Sequence, residues 1–224
     1  MSEYYSQKLS SDRLKRCYDI APPRVNQYLS AEIDYVLNHI EKSDSVLELG
    51  CGYGRVLDKL ILNSSKTIGI DISQDNLILA KEFVSTHGTP YLIQANAKHL
   101  PFLDGTFDIV VCIQNGISAF KIDPVELVQE SVRVTKIGGF CLFSSYSETF
   151  WSERLKWFQL QADAGLIGEI DVSQTKDGVI ICKDGFKATT FTPDHFQNII
   201  EKLDLEAQIT EIDKSSVFCK IKKK

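Results

Sequence analysis

Three glycines in five residues, Gly50, Gly52 and Gly54, directly follow the apolar run Val46-Leu47-Glu48-Leu49. No other stretch restricts the fold of this chain as strongly. The run has strand length and composition, and Arg55-Val56-Leu57-Asp58-Lys59-Leu60-Ile61-Leu62 then carries apolar residues at helical spacing, so the glycines sit on a strand-to-helix junction. Glycine admits positive φ and lets a ligand approach the main chain closely, while a helix start offers unpaired N–H groups. The turn reads as a ligand cradle, or else as a tight βα turn that binds nothing.

Spacing and one carboxylate narrow the ligand. A dinucleotide fingerprint needs glycine at the first, third and sixth positions, and the sixth position counted from Gly50 is Arg55. The pattern is E-x-G-x-G-x-G. Glu48 would repel a pyrophosphate but suits a ligand with an ammonium or sulfonium beside a single carboxylate, the charge pattern of S-adenosylmethionine. These residues resemble motif I of the class I (Rossmann-like) S-adenosylmethionine-dependent methyltransferases, with Glu48, Gly50, Gly52 and Gly54 on the family positions and Cys51 inside the turn.

Composition bounds the rest. With 224 residues and 43% hydrophobic content, the chain suits one globular domain, or one domain with a small elaboration. A net charge of −5 argues against affinity drawn from a phosphate backbone, and the closing Lys220-Ile221-Lys222-Lys223-Lys224 reads as the solvated end of a last strand. Six cysteines without C-x-x-C spacing read as free thiols in a reducing cytoplasm. With no signal-peptide pattern and no membrane-length apolar run, we expect a cytoplasmic monomer or homodimer without membrane contact.

Along the chain, the first twelve residues are polar and contain Tyr4-Tyr5, which suggests an arm that orders only when packed on something. A helix is expected from Asp12 to Asp19, a break at Ala21-Pro22-Pro23, and a second helix from Arg24 to Ile40 with Val25, Tyr28, Ile33, Val36, Leu37 and Ile40 on one face. Tyr18-Asp19-Ile20-Ala21 resembles the Y-D-x-I-A element that closes over the cofactor in many small-molecule methyltransferases; by pattern alone it is an amphipathic helix with Tyr18 at the core edge. Thr67 to Asp71 is a strand ending in an acid, where a carboxylate can accept both ribose hydroxyls of a nucleoside. Ser73 caps the helix that follows, to about Thr86.

Tyr91 to Gln94 is a third strand, and the following Ala95-Asn96-Ala97 resembles the family's adenine-edge motif, in which a side chain and the next N–H hold the base. Asn96 stands where many members carry Asp; without the resemblance it reads as a polar loop residue capping the next helix. Phe107 to Ile113 is a continuous apolar run, as expected of a central parallel strand, and Gln114-Asn115-Gly116 lies at its carboxyl end, where the family places methyl group and acceptor. Asp123-Pro124-x-Glu126 opens a helix as a capping box, Gly138-Gly139 ends it, and Phe140 to Ser144 is the next strand. Residues 149 to 165 form a helix with a stripe of Trp151, Leu155, Phe158 and Ala162. Asp177-Gly178 and Asp184-Gly185 mark turns of a three-stranded antiparallel meander over 168–175, 179–183 and 186–191, in which Ile170-Asp171-Val172-Ser173 alternates inward and outward. Thr192-Pro193 starts a last helix, and Leu205 to Ile212 pairs with Ser216 to Ile221 across Asp213-Lys214.

The expected fold is therefore α/β, a doubly wound, mostly parallel seven-stranded sheet in a single domain. Residues 1–42 form a helical cap, 43–145 the cofactor core, 146–192 a helix-and-meander lid, and 193–224 a closing helix and hairpin. The resemblance implies a methyltransferase using S-adenosyl-L-methionine, with Glu48, Gly50, Cys51, Gly52, Gly54, Asp71, Ile72, Asn96, Ala97 and Ile113 holding the cofactor. A small-molecule N or O nucleophile is the expected acceptor, with a protein or RNA methyltransferase, or a non-catalytic cofactor-binding partner protein, as alternatives. Tyr4, Tyr5 and Tyr18 offer hydroxyls or aromatic faces, and His195 a base, although at a helix start it reads as an exposed residue. Other chemistries lack their residues. Gly116-Ile117-Ser118-Ala119-Phe120 misses the second glycine of a nucleophile elbow, His39, His87, His99 and His195 have no zinc spacing, and Gln114-Asn115 replaces the acid a magnesium site needs.

Overall fold

In a computed structural model, the chain is described at residue 4 and over residues 8–84 and 90–224. Two helices, α1 (Ser11–Asp19) and α2 (Pro23–Leu37), precede β1 (Ser45–Leu49). The core continues through α3 (Leu57–Ile61), β2 (Lys66–Asp71), α4 (Gln74–Val84), β3 (Tyr91–Gln94), β4 (Phe107–Cys112), α5 (Gly116–Ala119), α6 (Pro124–Val134) and β5 (Thr135–Tyr146). After a single 3-10 turn come α7 (Trp151–Asp163), β6 (Val179–Ile181), β7 (Lys187–Thr189), α8 (Pro193–Lys202), β8 (Glu206–Ile212) and β9 (Ser216–Lys222).

The seven-stranded sheet runs β3-β2-β1-β4-β5-β9-β8, parallel through β5 and antiparallel at β9 and β8, which bears out the doubly wound expectation. Strand alternation explains why both faces are covered. On one face Leu47, Val110, Cys112 and Phe143 meet Leu127 of α6 and Phe196 of α8; on the other, Val46, Val111, Leu142 and Phe218 meet Ile33 and Val36 of α2. The chain moves outward from β1 to β3 and then returns to β4 on the other side of β1. That reversal opens a crevice at the carboxyl ends of β1 and β4, the place where such sheets bind ligands. A third apolar cluster, including Cys17, Tyr28, Tyr146, Trp157, Ile180 and Phe186, lies apart from the two sheet faces and joins α1 and α2 to the segment after β5.

Several local expectations change. The helix after the glycine turn starts at Leu57 and has only five residues, so the turn itself, and not a helix start, faces the crevice. Asp123 caps the N–H of Val125 at 2.9 Å, but Glu126 pairs with Lys98 at 2.9 Å and does not complete a capping box. Helix α6 ends at Val134, before Gly138-Gly139; the pairing steps from Phe107↔Thr135 to Ile109↔Phe140, so those glycines lie in an irregularity of β5. A Cβ on Gly139 would stand 2.3 Å from the carbonyl oxygen of Asp108, which explains the glycine.

The meander has two strands rather than three. Its first segment contributes a single bridge, Ile170↔Cys182, because the Asp171 carboxylate accepts from the N–H (3.0 Å) and hydroxyl (2.6 Å) of Ser173 and from the Gln174 amide (2.6 Å), folding the chain into a turn. Val172 is consequently 82% exposed, against the expected alternation. The Asp177-Gly178 hairpin holds: both residues have positive φ, and Lys176 and Val179 exchange main-chain bonds of 3.0 and 2.8 Å. On α7 the buried face is Arg154, Trp157, Phe158 and Gln161, one step around from the expected stripe. Arg154 is fully buried and donates to Gly178 O (2.9 Å), Thr190 Oγ1 (2.6 Å) and Ala188 O (3.1 Å), fastening the hairpin to α7. Tyr5, His87 and the expected helix end at Thr86 lie outside the described residues.

Candidate active site

The crevice is a cleft partly open to solvent, floored by the ends of β1, β2 and β4 and roofed by α1, α7 and Phe186. Within the glycine turn, Gly50 and Gly52 have φ of 70° and 55°. A Cβ on Gly50 would stand 2.9 Å from the Phe120 ring, and one on Gly52 would stand 3.2 Å from Leu14, both of which line the cleft. Gly54 does a different job: its missing Cβ lets α4 approach, Val84 at 2.9 Å and Ala80 at 3.2 Å.

Asp71 ties the turn to the next strand. Its Oδ2 accepts from Gly52 N (3.0 Å), and Oδ1 accepts from Ser73 N (2.8 Å) and the Asn76 amide (3.2 Å). Burial raises its carboxyl above the ordinary range and these bonds oppose that shift. Glu48 is more isolated. Its Oε2 is buried with no hydrogen-bond partner among the described residues, and burial pushes the carboxyl up to about 8, with Arg55 pulling it down and Asp71 raising it further. The Arg55 guanidinium lies 4.7 Å from the centre of the Tyr18 ring and donates to Gln114 Oε1.

At the end of β4, Gln114 and Asn115 are consecutive non-glycine residues with φ of 57° and 62°, a conformation that must be held from outside. Gln114 N donates to Glu32 Oε2 (2.7 Å) and Ser144 Oγ (2.8 Å), and Asn115 Oδ1 accepts from Ser145 Oγ (2.7 Å).

Of the residues singled out from the sequence, Glu48, Gly50, Cys51, Gly52, Asp71, Ile113 and Tyr18 line the cleft, and Gly54, Ile72, Asn96, Ala97 and His195 do not. Asn96 is exposed and its Oδ1 accepts from Lys98 N (3.0 Å), but it follows Ala95, whose N–H donates to Asp71 O (3.1 Å), so it stands at the same sheet end as Asp71. His195 is exposed and caps α8, its Nδ1 accepting from Thr192 N at 3.1 Å. Burial raises the Tyr18 phenol, which keeps it protonated and makes it a hydrogen-bond donor rather than a ready base. Tyr4 donates to Asp184 Oδ2 (2.6 Å) and packs on Phe186, 5.3 Å between rings.

Sequence reasoning missed Glu32, Arg55 and Gln161, along with Tyr146, Trp157 and Phe186 on the roof. Glu32 did carry a signal, an acid between Leu29 and Ile33 on the apolar face of α2. The roof aromatics carried none, because nothing local distinguishes a cleft-lining aromatic from a core one. Among the described residues there is no metal-ligand group of three or more, and no helix long and apolar enough to cross a membrane. All six cysteines are unpaired and buried.

Among known families, the sequence pattern of the one described as "Methyltransferase domain" matches residues 47–143, from β1 to β5. Over residues 47–143 the chain is similar to a methyltransferase domain. The glycine turn, Asp71 and the strained Gln114-Asn115 turn all fall within this methyltransferase core, whereas α1, α2 and the roof from α7 onward lie outside it. Among similar proteins, a malonyl-[acyl-carrier protein] O-methyltransferase of Marinomonas sp. is 37% identical over 128 residues, 54% of this chain and 45% of that protein. A demethylmenaquinone methyltransferase of Bacillus licheniformis is 29% identical over 146 residues, 63% of this chain and 62% of that protein. The chain spans about half the length of the curated relatives it matches. A solved SAM-dependent methyltransferase from Methanosarcina mazei superposes with a TM-score of 0.63 at 19% identity, covering 84% of this chain and 97% of that one, which shows the shared fold.

Proposed function

We propose that this chain is an S-adenosyl-L-methionine-dependent methyltransferase whose acceptor is a small molecule with an N or O nucleophile. The observation that carries the reading is the buried Glu48 carboxylate, its Oε2 unpartnered among the described residues, beside the bare glycine turn, a fit for a cationic amino-acid group pressed against main chain. Glu48 would take the ammonium, and Arg55, on the far side of the turn, the carboxylate. Asp71 would accept the ribose hydroxyls, with Ile72, Asn96 and the Ala97 N–H serving the base, and Cys51 and Ile113 closing the wall. When bound, the cofactor supplies a methyl group already activated as a sulfonium.

The chain's own contribution is placement and dryness. Tyr18, Tyr146, Trp157, Phe158 and Phe186 enclose the cleft, Trp157 held by its indole N–H to Cys17 O at 2.8 Å. Among the described residues, no lysine or arginine apart from Arg55 lines it, which favours a small acceptor over the phosphate backbone of RNA. The name of one relative points the same way, to demethylmenaquinone. Incubation with methyl-labelled S-adenosyl-L-methionine and a metabolite extract, and separately with RNA and with protein, tests it. Label is expected in the small-molecule fraction; label in RNA or protein would move the acceptor class, and binding without transfer to any pool would favour a non-catalytic partner.

A further inference from the structure

Glu32 is a fully buried carboxylate that comes from α2, outside the methyltransferase core, to lie behind the wall of the cleft. Its Oε2 accepts from Gln114 N (2.7 Å) and Ser144 Oγ (2.8 Å), and its Oε1 accepts from Ser216 Oγ. Gln114 itself lines the cleft, so one hydrogen bond separates the carboxylate from a cleft residue. The titratable groups facing it are Arg55 from the glycine turn, Tyr18 from α1, Tyr28 on its own helix, Cys112 from β4 and Tyr146 from β5. Burial raises the three phenols and the thiol, which keeps them neutral around pH 7 and leaves Arg55 as the constant charge. Three neutral donors satisfy Glu32 without cancelling its charge.

Resting on the cofactor reading above, we propose that Glu32 sets a negative field behind the methyl-transfer position and makes the site prefer a sulfonium ligand over its neutral thioether counterpart. S-adenosyl-L-methionine and S-adenosyl-L-homocysteine share adenosine, ammonium and carboxylate, and differ by one methyl group and one positive charge. A carboxylate close to that charge holds the loaded cofactor and loosens the spent one. Glu32 is a positioning residue as well, since its bond to Gln114 N braces the left-handed turn.

Ionisation of Glu32 supplies the distinguishing readout. Burial pushes its carboxyl up to about 7, with the bonds from Ser216, Ser144 and Gln114 and the charge of Arg55 pulling the other way. Its charge therefore develops between pH 6 and pH 8. Glu48 titrates in an overlapping range and its charge also acts on the sulfonium, so the part of the pH dependence that belongs to Glu32 is the part that Glu32→Gln removes.

Calorimetric titration of the full chain with each ligand at pH 6 and pH 8 tests the proposal. In the wild type the preference for the sulfonium should rise about tenfold across this interval, the scale of one charge pair in a partly screened site. In Glu32→Gln the preference should be lower, and most of its rise with pH should be lost. Glutamine keeps an acceptor toward Gln114 N, and its amide can donate to Ser216 Oγ, whose own hydroxyl already reaches Ser145 O at 3.1 Å. If that variant does not fold, Ser216→Ala removes a bond that favours the ionised form and should move the midpoint of the pH profile upward. A wild-type ratio that ignores pH, or a Glu32→Gln ratio that follows pH as steeply as the wild type, overturns the proposal. A purely structural Glu32 would move both affinities together and leave the ratio alone. Failure of both ligands to bind the wild type would instead bring down the cofactor reading.

Discussion

Glu48→Gln is expected to stabilise the empty protein at alkaline pH while weakening its hold on the cofactor. Burial raises the Glu48 carboxyl from an ordinary 4.5 to about 8, so the folded chain must either keep a proton or hold a naked charge. The sign follows from proton binding: the group adds no penalty below pH 4.5, the penalty grows as pH rises, and it is complete above about pH 8. Glu32 acts with the same sign up to about 7, so the wild type should lose stability steadily from mildly acidic to alkaline conditions. Removing the Glu48 charge should recover about 2 to 5 kcal/mol at pH 9 and almost nothing at pH 4. The same change removes the partner of the cofactor's ammonium, a loss of about 1.5 to 3 kcal/mol in affinity for S-adenosyl-L-homocysteine. Denaturant melts at the two pH values and one titration check both halves, and a variant less stable than wild type at pH 9 would show that Glu48 is already paired.

Asp71→Ala should be costly twice over. The carboxylate satisfies the main-chain N–H groups of Gly52 and Ser73 as well as the Asn76 amide, and all three residues are buried or line the cleft. Stranding two backbone donors costs about 1 to 3 kcal/mol each, and the glycine turn loses its tether to β2. Cofactor affinity should fall by a further 1.5 to 3 kcal/mol, roughly ten- to a hundredfold, if Asp71 also accepts the ribose hydroxyls. Asn76→Ala separates the two effects, because it removes one of the carboxylate's donors and leaves the carboxylate itself in place. Stability measured by melting, and affinity by calorimetry, should fall together in Asp71→Ala, while Asn76→Ala loses stability chiefly. Unchanged affinity in Asp71→Ala would move the nucleoside away from β2.

The alternation of apolar strands with helices made the sheet readable in advance, and the three glycines placed the cleft before any coordinates, because a strand buried on both faces and a turn with positive φ each leave a local mark. What escaped was non-local. Glu32 and Gln114 are 82 positions apart, and their bond exists only because α2 crosses behind β4. Arg154 read as part of an ordinary amphipathic helix, yet it is fully buried and fastens a hairpin 24 to 36 residues further on. The lost third strand of the meander turned on one aspartate, since Asp171 found closer partners in Ser173 and Gln174 than a neighbouring strand could offer. Gly54 shows the reverse case, a residue legible as a glycine that had to be there but whose reason is the approach of α4.

The claim on which all of this depends is that one ligand bridges Glu48 and Asp71 across the β1–β2 end of the sheet. A crystal structure of the protein soaked with S-adenosyl-L-homocysteine tests it directly. The account predicts the ligand's amino group within hydrogen-bond distance of Glu48 and its ribose diol on Asp71, with the sulfur facing the Gln114-Asn115 turn. A ligand lodged outside the crevice, or one lying within it with its amino group turned away from Glu48, would contradict the account.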